Sequence, residues 1–479
     1  MRFKRVLLIF PSFESDVGSS RPSPSLGYIA QTLDDNYITY SILDMMLGYS
    51  FSDLKMKINR FKPDLIGITL FTLHHKMVYE QIAKIKFLFP NVKIVVGGPH
   101  ATIEREKVIK ECPSIDFVCV HEGEELIGEL CRGDNLSEIK GLVFRENESI
   151  IFTGVRPYQT DLNKYSYPKL NKFELNKYAS EIVIISSRGC PYKCIYCSVQ
   201  TVSGKKIRIR DIKNVVDEIE YWYLRGKRVF NFLDDNFTFY EDRVYQFCDE
   251  VEKRNFECLI FRVSNGVRAD KLNYQLLKRM KEIGFRSISI GVEAGNNKIL
   301  KILKKGEAIE EIESAIKAAC DLELEVSLFF VFGTPGETLE DVEDSIKLAL
   351  KYPVFKVDFY NLLPFPGTEL YKWVNENNAW ISNSEELLDK SDKNIRFGSN
   401  LFFVTKELPF DVQKQLIKRL LKLMRFVEKR YLINILRKKF GLLSYPLAYL
   451  IATPFLEKLY FKNNKIRRIA ENVRYSIIK

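Results

Sequence analysis

The feature that most constrains this chain is a series of short apolar runs alternating with helical stretches, which occurs twice. The first series begins at residue 5 and ends near 130, with candidate strands at 6–10, 40–43, 65–69, 93–96 and 117–120. Its candidate helices lie near 25–34, 51–60, 76–88, 104–111 and 123–131. This alternation predicts a parallel sheet covered by helices on both faces. Ligands of such a domain bind at the carboxyl ends of the strands.

The second series predicts a barrel. Residues 139–153 indicate a β-hairpin turning at Asn147, and a polar linker rich in Tyr and Lys follows to about 180. Candidate strands then lie near 181–186, 228–233, 258–263, 286–291, 325–330 and 354–361, separated by helices near 211–225, 241–254, 271–283, 308–321 and 338–351. Six βα repeats suit a partial (β/α)6 TIM-type barrel, whose catalytic loops follow the strand ends.

Three cysteines lie within eight residues directly after the first strand of this second series. They are Cys190, Cys194 and Cys197, in the run RGCPYKCIYCS. Fe–S clusters are usually held by four cysteines, and the next cysteine along the chain is Cys248. One iron would then stay open to a substrate or cofactor, as a catalytic metal site requires. Zinc with a distant fourth ligand, or three reduced thiols without metal, are the alternatives.

This spacing, with Tyr196 just before the last cysteine, resembles the signature of the radical S-adenosylmethionine (SAM) enzymes. In that family the three thiolates hold a 4Fe-4S cluster, and its unique iron is chelated by the amino and carboxylate groups of SAM. One electron from the cluster cleaves SAM to a 5′-deoxyadenosyl radical, which abstracts hydrogen from an unactivated carbon. Three cysteines alone would make this resemblance only suggestive.

Further strand ends of the second series also resemble that pattern. Asp234 ends the second strand, Glu293 lies in a Gly-x-Glu-x-Gly stretch after the fourth, and a Gly-Thr-Pro-Gly run follows the fifth. The resemblance implies that SAM contacts Tyr196, Asp234, Glu293, Gly333, Pro335 and Gly336. Taken singly, such a glycine run is more often a turn, and such a glutamate more often a solvated cap. Their order after the cysteines makes the set specific.

The first series resembles the cobalamin-binding domain of one large branch of this family, a flavodoxin-like (Rossmann-type) domain. The resemblance implies cobalamin contacts at Leu26, Thr69, Gly97, Gly98, Pro99, His100, Glu122 and Gly123. Consecutive glycines let the backbone approach a bulky nucleotide tail. The loop 11–18 lacks the histidine that ligates cobalt in other cobalamin domains, which agrees with the radical branch and leaves the lower axial ligand open. The alternative is an ordinary flavodoxin-like domain that binds a nucleotide or nothing.

Composition separates the end of the chain from the rest. Of the net charge of +11, residues 411–479 contribute +13, from 17 Lys or Arg against 4 Asp or Glu. Nine cysteines without a regular framework argue against a secreted disulfide scaffold. The N-terminus enters an apolar strand at once, without a cleavable signal pattern. We therefore expect a cytoplasmic protein.

The basic end of the chain favours contact with a membrane surface. Residues 411–439 predict a helix that interleaves leucines with lysines and arginines, and 440–456 is uncharged. Seventeen residues with two prolines are marginal for crossing a bilayer, so a segment lying in the headgroup region is the preferred interpretation. A helical subdomain packed on the barrel is the main alternative, and RNA contact is the least favoured.

Together these features predict four regions: a cobalamin-binding domain at 1–138, a hairpin and linker at 139–180, a radical SAM barrel at 181–380 and a helical basic extension at 381–479. We expect methylation of an unactivated carbon of a lipid-like or isoprenoid-like substrate, with a ferredoxin or flavodoxin as electron donor and no nucleic-acid partner. The alternatives are radical ring closure or rearrangement, tRNA modification, and cobalamin binding without catalysis.

Overall fold

The structure, a computed structural model, describes residues 2–12, 21–382 and 401–451 and the single positions 453, 456, 466 and 470. The described chain divides into two compact units. Unit 1 contains the residues up to 178 together with 198–208, and unit 2 contains 179–197 and the residues from 209 onward. The loop 11–18, on which the axial-ligand argument depends, lies largely outside the described residues.

Unit 1 is built on a seven-stranded sheet in the order β2-β1-β3-β4-β5-β6-β7. The strands are β1 (Arg5–Phe10), β2 (Thr39–Asp44), β3 (Leu65–Thr69), β4 (Lys93–Gly97), β5 (Phe117–Cys119), β6 (Leu142–Glu146) and β7 (Ser149–Phe152). The helices are α1 (Pro24–Asp35), α2 (Phe51–Phe61), α3 (His75–Leu88), α4 (Pro99–Glu104), α5 (Glu106–Glu111) and α6 (Glu124–Arg132). The first five strands pair in parallel and the last two form an antiparallel hairpin.

Local chemistry explains where these elements begin and end. Ser50 and Asp53 form a capping box at the start of α2, which satisfies two backbone donors that the helix itself leaves unpaired. The β6–β7 hairpin turns at Asn147, which has a φ of 54°; asparagine tolerates this left-handed conformation better than most residues. The helix predicted near 104–111 is α5, and a helix that was not predicted, α4, precedes it; Arg105, with a φ of 47°, separates the two.

Unit 2 is built on a six-stranded, all-parallel sheet in the order β15-β14-β13-β12-β11-β8. Its strands are β8 (Ile182–Ile184), β11 (Val229–Phe232), β12 (Ile260–Val267), β13 (Phe285–Glu293), β14 (Glu325–Phe332) and β15 (Lys356–Asn361), and the short strands β9 (Ser187–Arg188) and β10 (Arg208–Ile209) lie between β8 and β11 in the chain. Neighbours in the sheet are successive βα repeats, so the predicted partial barrel is confirmed. These strands are largely buried, as in a sheet covered on both faces.

The helices of the second half of the chain match the predicted ones, with additions. They are α7 (Val199–Val202), α8 (Ile212–Tyr223), α9 (Glu241–Lys253), α10 (Tyr274–Glu282), α11 (Asn297–Ile302), α12 (Ile309–Asp321), α13 (Leu339–Lys351), α14 (Glu369–Glu376), α15 (Phe410–Phe440) and α16 (Ser444–Ile451). The short helices α7, α11 and α14 were not predicted, because four to eight residues are too few for a periodic pattern. Helix α7 belongs to unit 1.

The long basic helix α15 packs against the protein along one face. Its buried side chains include Leu416, Leu420, Met424 and Val427, at the three- and four-residue spacing that shares one helix face. Arg430 donates hydrogen bonds to the carbonyl oxygens of Leu350 and Tyr352. The apolar face of this helix is therefore packed against the protein, as the packed-subdomain alternative expects. Membrane contact through the rest of the basic extension stays a prediction.

Candidate functional site

The cysteine loop of unit 2 is held at three points. The backbone N–H of Gly189 donates to Asp235 Oδ2 at 2.7 Å. The N–H of Ile195 donates to the Leu303 carbonyl at 3.1 Å. Between them, the guanidinium of Arg268 lies 3.5 Å from the centre of the Tyr192 ring, a cation–π contact. The loop that carries the three thiols is thus fixed by side chains and backbone from other βα repeats.

The three thiols lie on one partly buried loop. Cys190, Cys194 and Cys197 are all half-buried. Burial raises the pKa of the Cys194 thiol, and the Lys305 ammonium opposes that rise. A thiolate set with cations nearby fits an iron–sulfur cluster.

The carboxyl group of Asp234 positions the entry to this loop. It accepts hydrogen bonds from the backbone N–H of Ser186 at 2.6 Å and from the Ser187 hydroxyl at 2.8 Å. Asp234 is 3% exposed, and burial raises its pKa. Its side chain is therefore engaged with the end of the first barrel strand, which leaves mainly its backbone for a cofactor.

Two of the predicted SAM contacts, Tyr196 and Glu293, meet in the structure. Loss of hydration and the nearby Glu293 carboxylate, which accepts a hydrogen bond from the phenol, raise the pKa of Tyr196 well above its usual value. Glu293 has a φ of 68°, rare for a residue with a side chain, at a shift of the β13–β14 register. Strained backbone of this kind is concentrated at functional sites.

The predicted Gly-Thr-Pro-Gly turn is folded around a buried glutamate. Glu337 Oε2 accepts hydrogen bonds from the N–H groups of Gly333 at 2.7 Å and Thr334 at 2.9 Å. Gly333 and Gly336 have φ values of 88° and 79°, which favour glycine. Pro335 lies half-buried between them. Burial raises the pKa of Glu337 to about 8, although the two N–H groups oppose the rise.

In unit 1, the predicted cobalamin contacts gather at the ends of two neighbouring strands. Thr69 and Gly97 are partners in register at the ends of β3 and β4. Among the described residues, a Cβ built on Gly97 would meet Cys119, at 3.6 Å, and nothing else within 4 Å. Gly98 has a φ of 108°, and a Cβ there would lie 3.0 Å from the Leu70 carbonyl oxygen. A strand end with two adjacent glycines fits the approach of a bulky cofactor.

Three more of these residues lie on helices next to those strand ends. Leu26 is buried in the first turn of α1, which Ser23 caps, and Pro99 begins α4. His100 is buried, and its ring nitrogens lie 3.2 Å from the Tyr79 hydroxyl and 3.4 Å from Thr72 Oγ1. Burial lowers the pKa of His100 to about 3. A neutral imidazole that is hydrogen-bonded within the core is more typical of a histidine that supports the fold than of a cofactor ligand.

The loop after β5 is braced by the segment that follows the cysteines. Arg208 Nη1 donates to Glu122 Oε1 at 2.7 Å and Oε2 at 2.9 Å, and the N–H of Gln159 donates to Oε2 at 3.0 Å. Gly123 packs tightly, since a Cβ there would lie 3.1 Å from Ile29 Cδ1. The Glu122 side chain is therefore occupied by protein partners, which leaves mainly the backbone of this loop for a cofactor.

Two family models match the chain at these two sites. The radical SAM superfamily model matches residues 184–349, and the B12-binding domain model matches 16–131. The uncharacterized methyltransferase PH0819 of Pyrococcus horikoshii is 31% identical over 395 residues, covering 80% of this chain and 85% of the relative. The chain belongs to the cobalamin-binding radical SAM enzymes.

Other relatives of this radical SAM enzyme carry out different chemistry. The anaerobic magnesium-protoporphyrin IX monomethyl ester cyclase of Cereibacter sphaeroides is 27% identical over 392 residues, covering 78% of this chain and 64% of the relative. The solved structure of the cobalamin-dependent SAM radical enzyme OxsB, with aqua-cobalamin and SAM bound, has a TM-score of 0.75 at 16% identity. It covers 96% of this chain and 72% of that chain. The likeness to OxsB concerns the fold.

Family membership gives the enzyme three cofactors: a 4Fe-4S cluster, SAM and cobalamin. The residues at both sites fit them. Sequence reasoning missed several supporting residues, namely Ser186, Arg208, Arg268, Lys305 and Glu337. Only Glu337 had a signal, because it directly follows the glycine turn; the others act through contacts between distant segments. Within the described residues, no helix has the length and apolarity needed to cross a bilayer.

Proposed function

We propose that this enzyme transfers a methyl group, by way of cobalamin, to an unactivated carbon of a lipid-like or isoprenoid-like substrate. Methyltransfer is supported by the relative PH0819, a methyltransferase by name. When bound, the cluster supplies the electron that cleaves SAM, and cobalamin supplies the methyl carrier. The observation that favours a lipid is an exposed apolar surface at the end of the basic helix α15.

The outer face of α15 carries a continuous row of cations, the basic stripe, which consists of Lys414, Lys418, Lys422, Arg425 and Lys429. The intervals of four, four, three and four residues place these side chains on one helix face. The first four are exposed. The buried face packs on the barrel, so the stripe is free to meet an anionic surface.

The stripe ends at an apolar tail surface formed by Phe440, Leu442, Leu443, Tyr445, Tyr449, Leu450 and Ile451. These side chains are between 44% and 83% exposed. The Lys429 ammonium lies 4.3 Å from the centre of the Tyr449 ring, so the two surfaces adjoin. Exposed leucines beside interfacial tyrosines and a row of cations match a segment that lies in the headgroup region.

This arrangement supports a peripheral position on the inner face of the cell membrane. Each Lys or Arg near an anionic leaflet contributes roughly 1 kcal/mol, and salt screens that contribution. Burial of the leucines is a hydrophobic contribution that salt does not remove. A lipid substrate would be reached from that surface, and a ferredoxin or flavodoxin would deliver the electron.

Ring closure is the second candidate, and the cyclase relative favours it. The product separates the two. Anaerobically reconstituted enzyme with trideuteromethyl-SAM and a lipid extract should give a lipid that carries one trideuteromethyl group in place of hydrogen. A product that has lost two hydrogens and contains no deuterium would indicate ring closure instead of methyl transfer.

Membrane binding is tested with full-length protein and matched point variants. Truncation before 411 is a poor probe, because it uncovers the residues that α15 buries. We expect wild-type protein to float with anionic vesicles, and Leu442→Asp/Leu443→Asp to float poorly. Leu224→Asp is the control, since Leu224 is 75% exposed on another helix end. If the wild-type protein does not float at any of the salt concentrations, the argument for a lipid substrate fails.

A further inference from the structure

Four charged side chains are buried together beside the cysteine loop. Arg268 and Lys305 are each 6% exposed, Glu307 is 7% and Glu293 is 9%. Arg268 also pairs with the partly buried Asp270, at 3.0 Å. Replacing a buried ion pair by well-packed apolar residues is often neutral or stabilising, so stability alone does not explain why the charges are there.

Lys305 is the centre of this buried ionic cluster. Its Nζ lies 3.1 Å from Glu293 Oε1 and 3.4 Å from Glu307 Oε2. Space around the Lys305–Glu293 pair is tight: a Cβ built on Gly291 would lie 3.1 Å from Lys305 Nζ and 2.7 Å from Glu293 Oε1. The glycine that precedes Glu293 by two residues therefore leaves the volume that the ion pair fills.

Arg268 and Glu307 fix the segment that carries Lys305. Arg268 donates to the carbonyl oxygens of Lys305 and, at 2.9 Å, of Gly306. Glu307 Oε1 accepts from the N–H groups of Ala269 at 2.6 Å and Asp270 at 3.0 Å. The same Arg268 stacks on Tyr192 of the cysteine loop. One arginine thus links the cysteine loop to the backbone that presents Lys305.

We propose that Lys305 is a positioning residue that holds the Glu293 carboxylate in the orientation in which it contacts SAM. Arg268 keeps Lys305 in register with the cysteine loop. This inference rests on Glu293 as a SAM contact, which is part of the proposed site. It requires no lipid and no methyl transfer, so its test is independent of the substrate.

The physical argument is one of orientation. A glutamate at the end of a strand has three rotatable side-chain bonds, and binding of a ligand must fix them at an entropic cost. Two partners already fix Glu293: the Tyr196 phenol and the Lys305 ammonium. Removal of Lys305 leaves this carboxylate with freedom to turn toward water or to take up a proton. SAM then meets a site that is no longer preorganised.

The test measures SAM binding to the anaerobically reconstituted full-length protein. We expect Lys305→Met to bind SAM at least tenfold more weakly than wild type, with unchanged iron and sulfide content. The change that SAM causes in the paramagnetic resonance spectrum of the reduced cluster should weaken in parallel. Lys304→Met is the control, because Lys304 pairs with Glu369 at the surface. This variant should bind SAM normally.

A double-mutant cycle with Glu293→Gln decides whether Lys305 acts through Glu293. In that background Lys305→Met should have less than a twofold further effect. Additive losses, or a normal affinity in Lys305→Met, would overturn the inference. Normal SAM binding by Glu293→Gln would overturn both this inference and the assignment of Glu293. If Lys305→Met does not fold, Lys305→Met/Glu307→Gln removes one charge of each sign, and the same cycle is run on it.

Discussion

Replacing Glu337 by Gln should change how the stability of unit 2 depends on pH. Glu337 is fully buried and holds the N–H groups of Gly333 and Thr334. Burial raises its pKa from 4.5 to about 8. Between these values the folded chain keeps a proton that the unfolded chain has released, so this group's contribution to stability is complete below pH 4.5 and is lost as pH rises toward 8.

The magnitude follows from the pKa difference. Each unit of pH within this window costs about 1.36 kcal/mol, so wild type should lose about 3 kcal/mol of stability from this group between pH 5.5 and 8. Glutamine does not titrate. The free energy of unfolding of Glu337→Gln should therefore gain about 3 kcal/mol relative to wild type over that range, or roughly 6–12 °C in melting temperature.

The assay is denaturant or thermal unfolding of both proteins at pH 5.5 and pH 8. Glu340→Gln is a matched control, because Glu340 lies three residues on and is exposed; its curve should run parallel to wild type. Parallel pH profiles for wild type and Glu337→Gln would refute the reasoning, because the carboxyl would then be ionised in the folded protein at neutral pH.

Three further outcomes are expected. Cys190→Ala, Cys194→Ala or Cys197→Ala should abolish both the visible iron–sulfur absorption and reductive cleavage of SAM, whereas alanine at the other cysteines (Cys112, Cys119, Cys131, Cys248, Cys258 and Cys320) should preserve both. Gly97→Val should lose cobalamin while keeping the cluster and its melting temperature, because a Cβ there meets none of the described residues closer than 3.6 Å; Gly98→Val should also lose stability. Arg210→Met should cost about 3–5 kcal/mol, since it leaves the buried Glu218 carboxylate, 2.6 Å away, without its cation; Arg210→Met/Glu218→Leu should recover most of that loss in the same unfolding assay.

The fold was predictable because the sequence patterns that indicate strands and helices are both local. Apolar runs bounded by turn residues mark the strands, and all predicted strands of both sheets are present, with ends within a few residues. The break at Arg105 was not predictable, because a positive φ is uncommon at any residue other than glycine; in the fold, the Arg105 guanidinium lies 5.4 Å from the ring of Phe152. No pattern within 99–111 contains that information.

The residues of the candidate site also fall into those that the sequence predicts and those that it does not. Cysteines and glycines that act within one loop have a readable spacing, as at Cys190–Cys197 and Gly333–Gly336. Residues that act on another segment do not: Lys305 follows Lys304 in the sequence, yet one is buried against Glu293 and the other pairs with Glu369 at the surface. Likewise, the periodicity of α15 predicts an apolar face, but only the structure assigns that face to the barrel.

The return of residues 198–208 to unit 1 affects how the protein is made. The chain up to 178 lacks Arg208, whose guanidinium pairs with Glu122, and it lacks Thr201, whose carbonyl accepts from the Tyr158 hydroxyl at 3.1 Å. On the ribosome, the nascent cobalamin unit therefore stays incomplete until after the cysteine loop has been synthesised. A recombinant fragment that ends at 178 would leave the Glu122 carboxylate without the Arg208 guanidinium, so unit 1 is better produced with 198–208 restored through a designed linker than by a single cut.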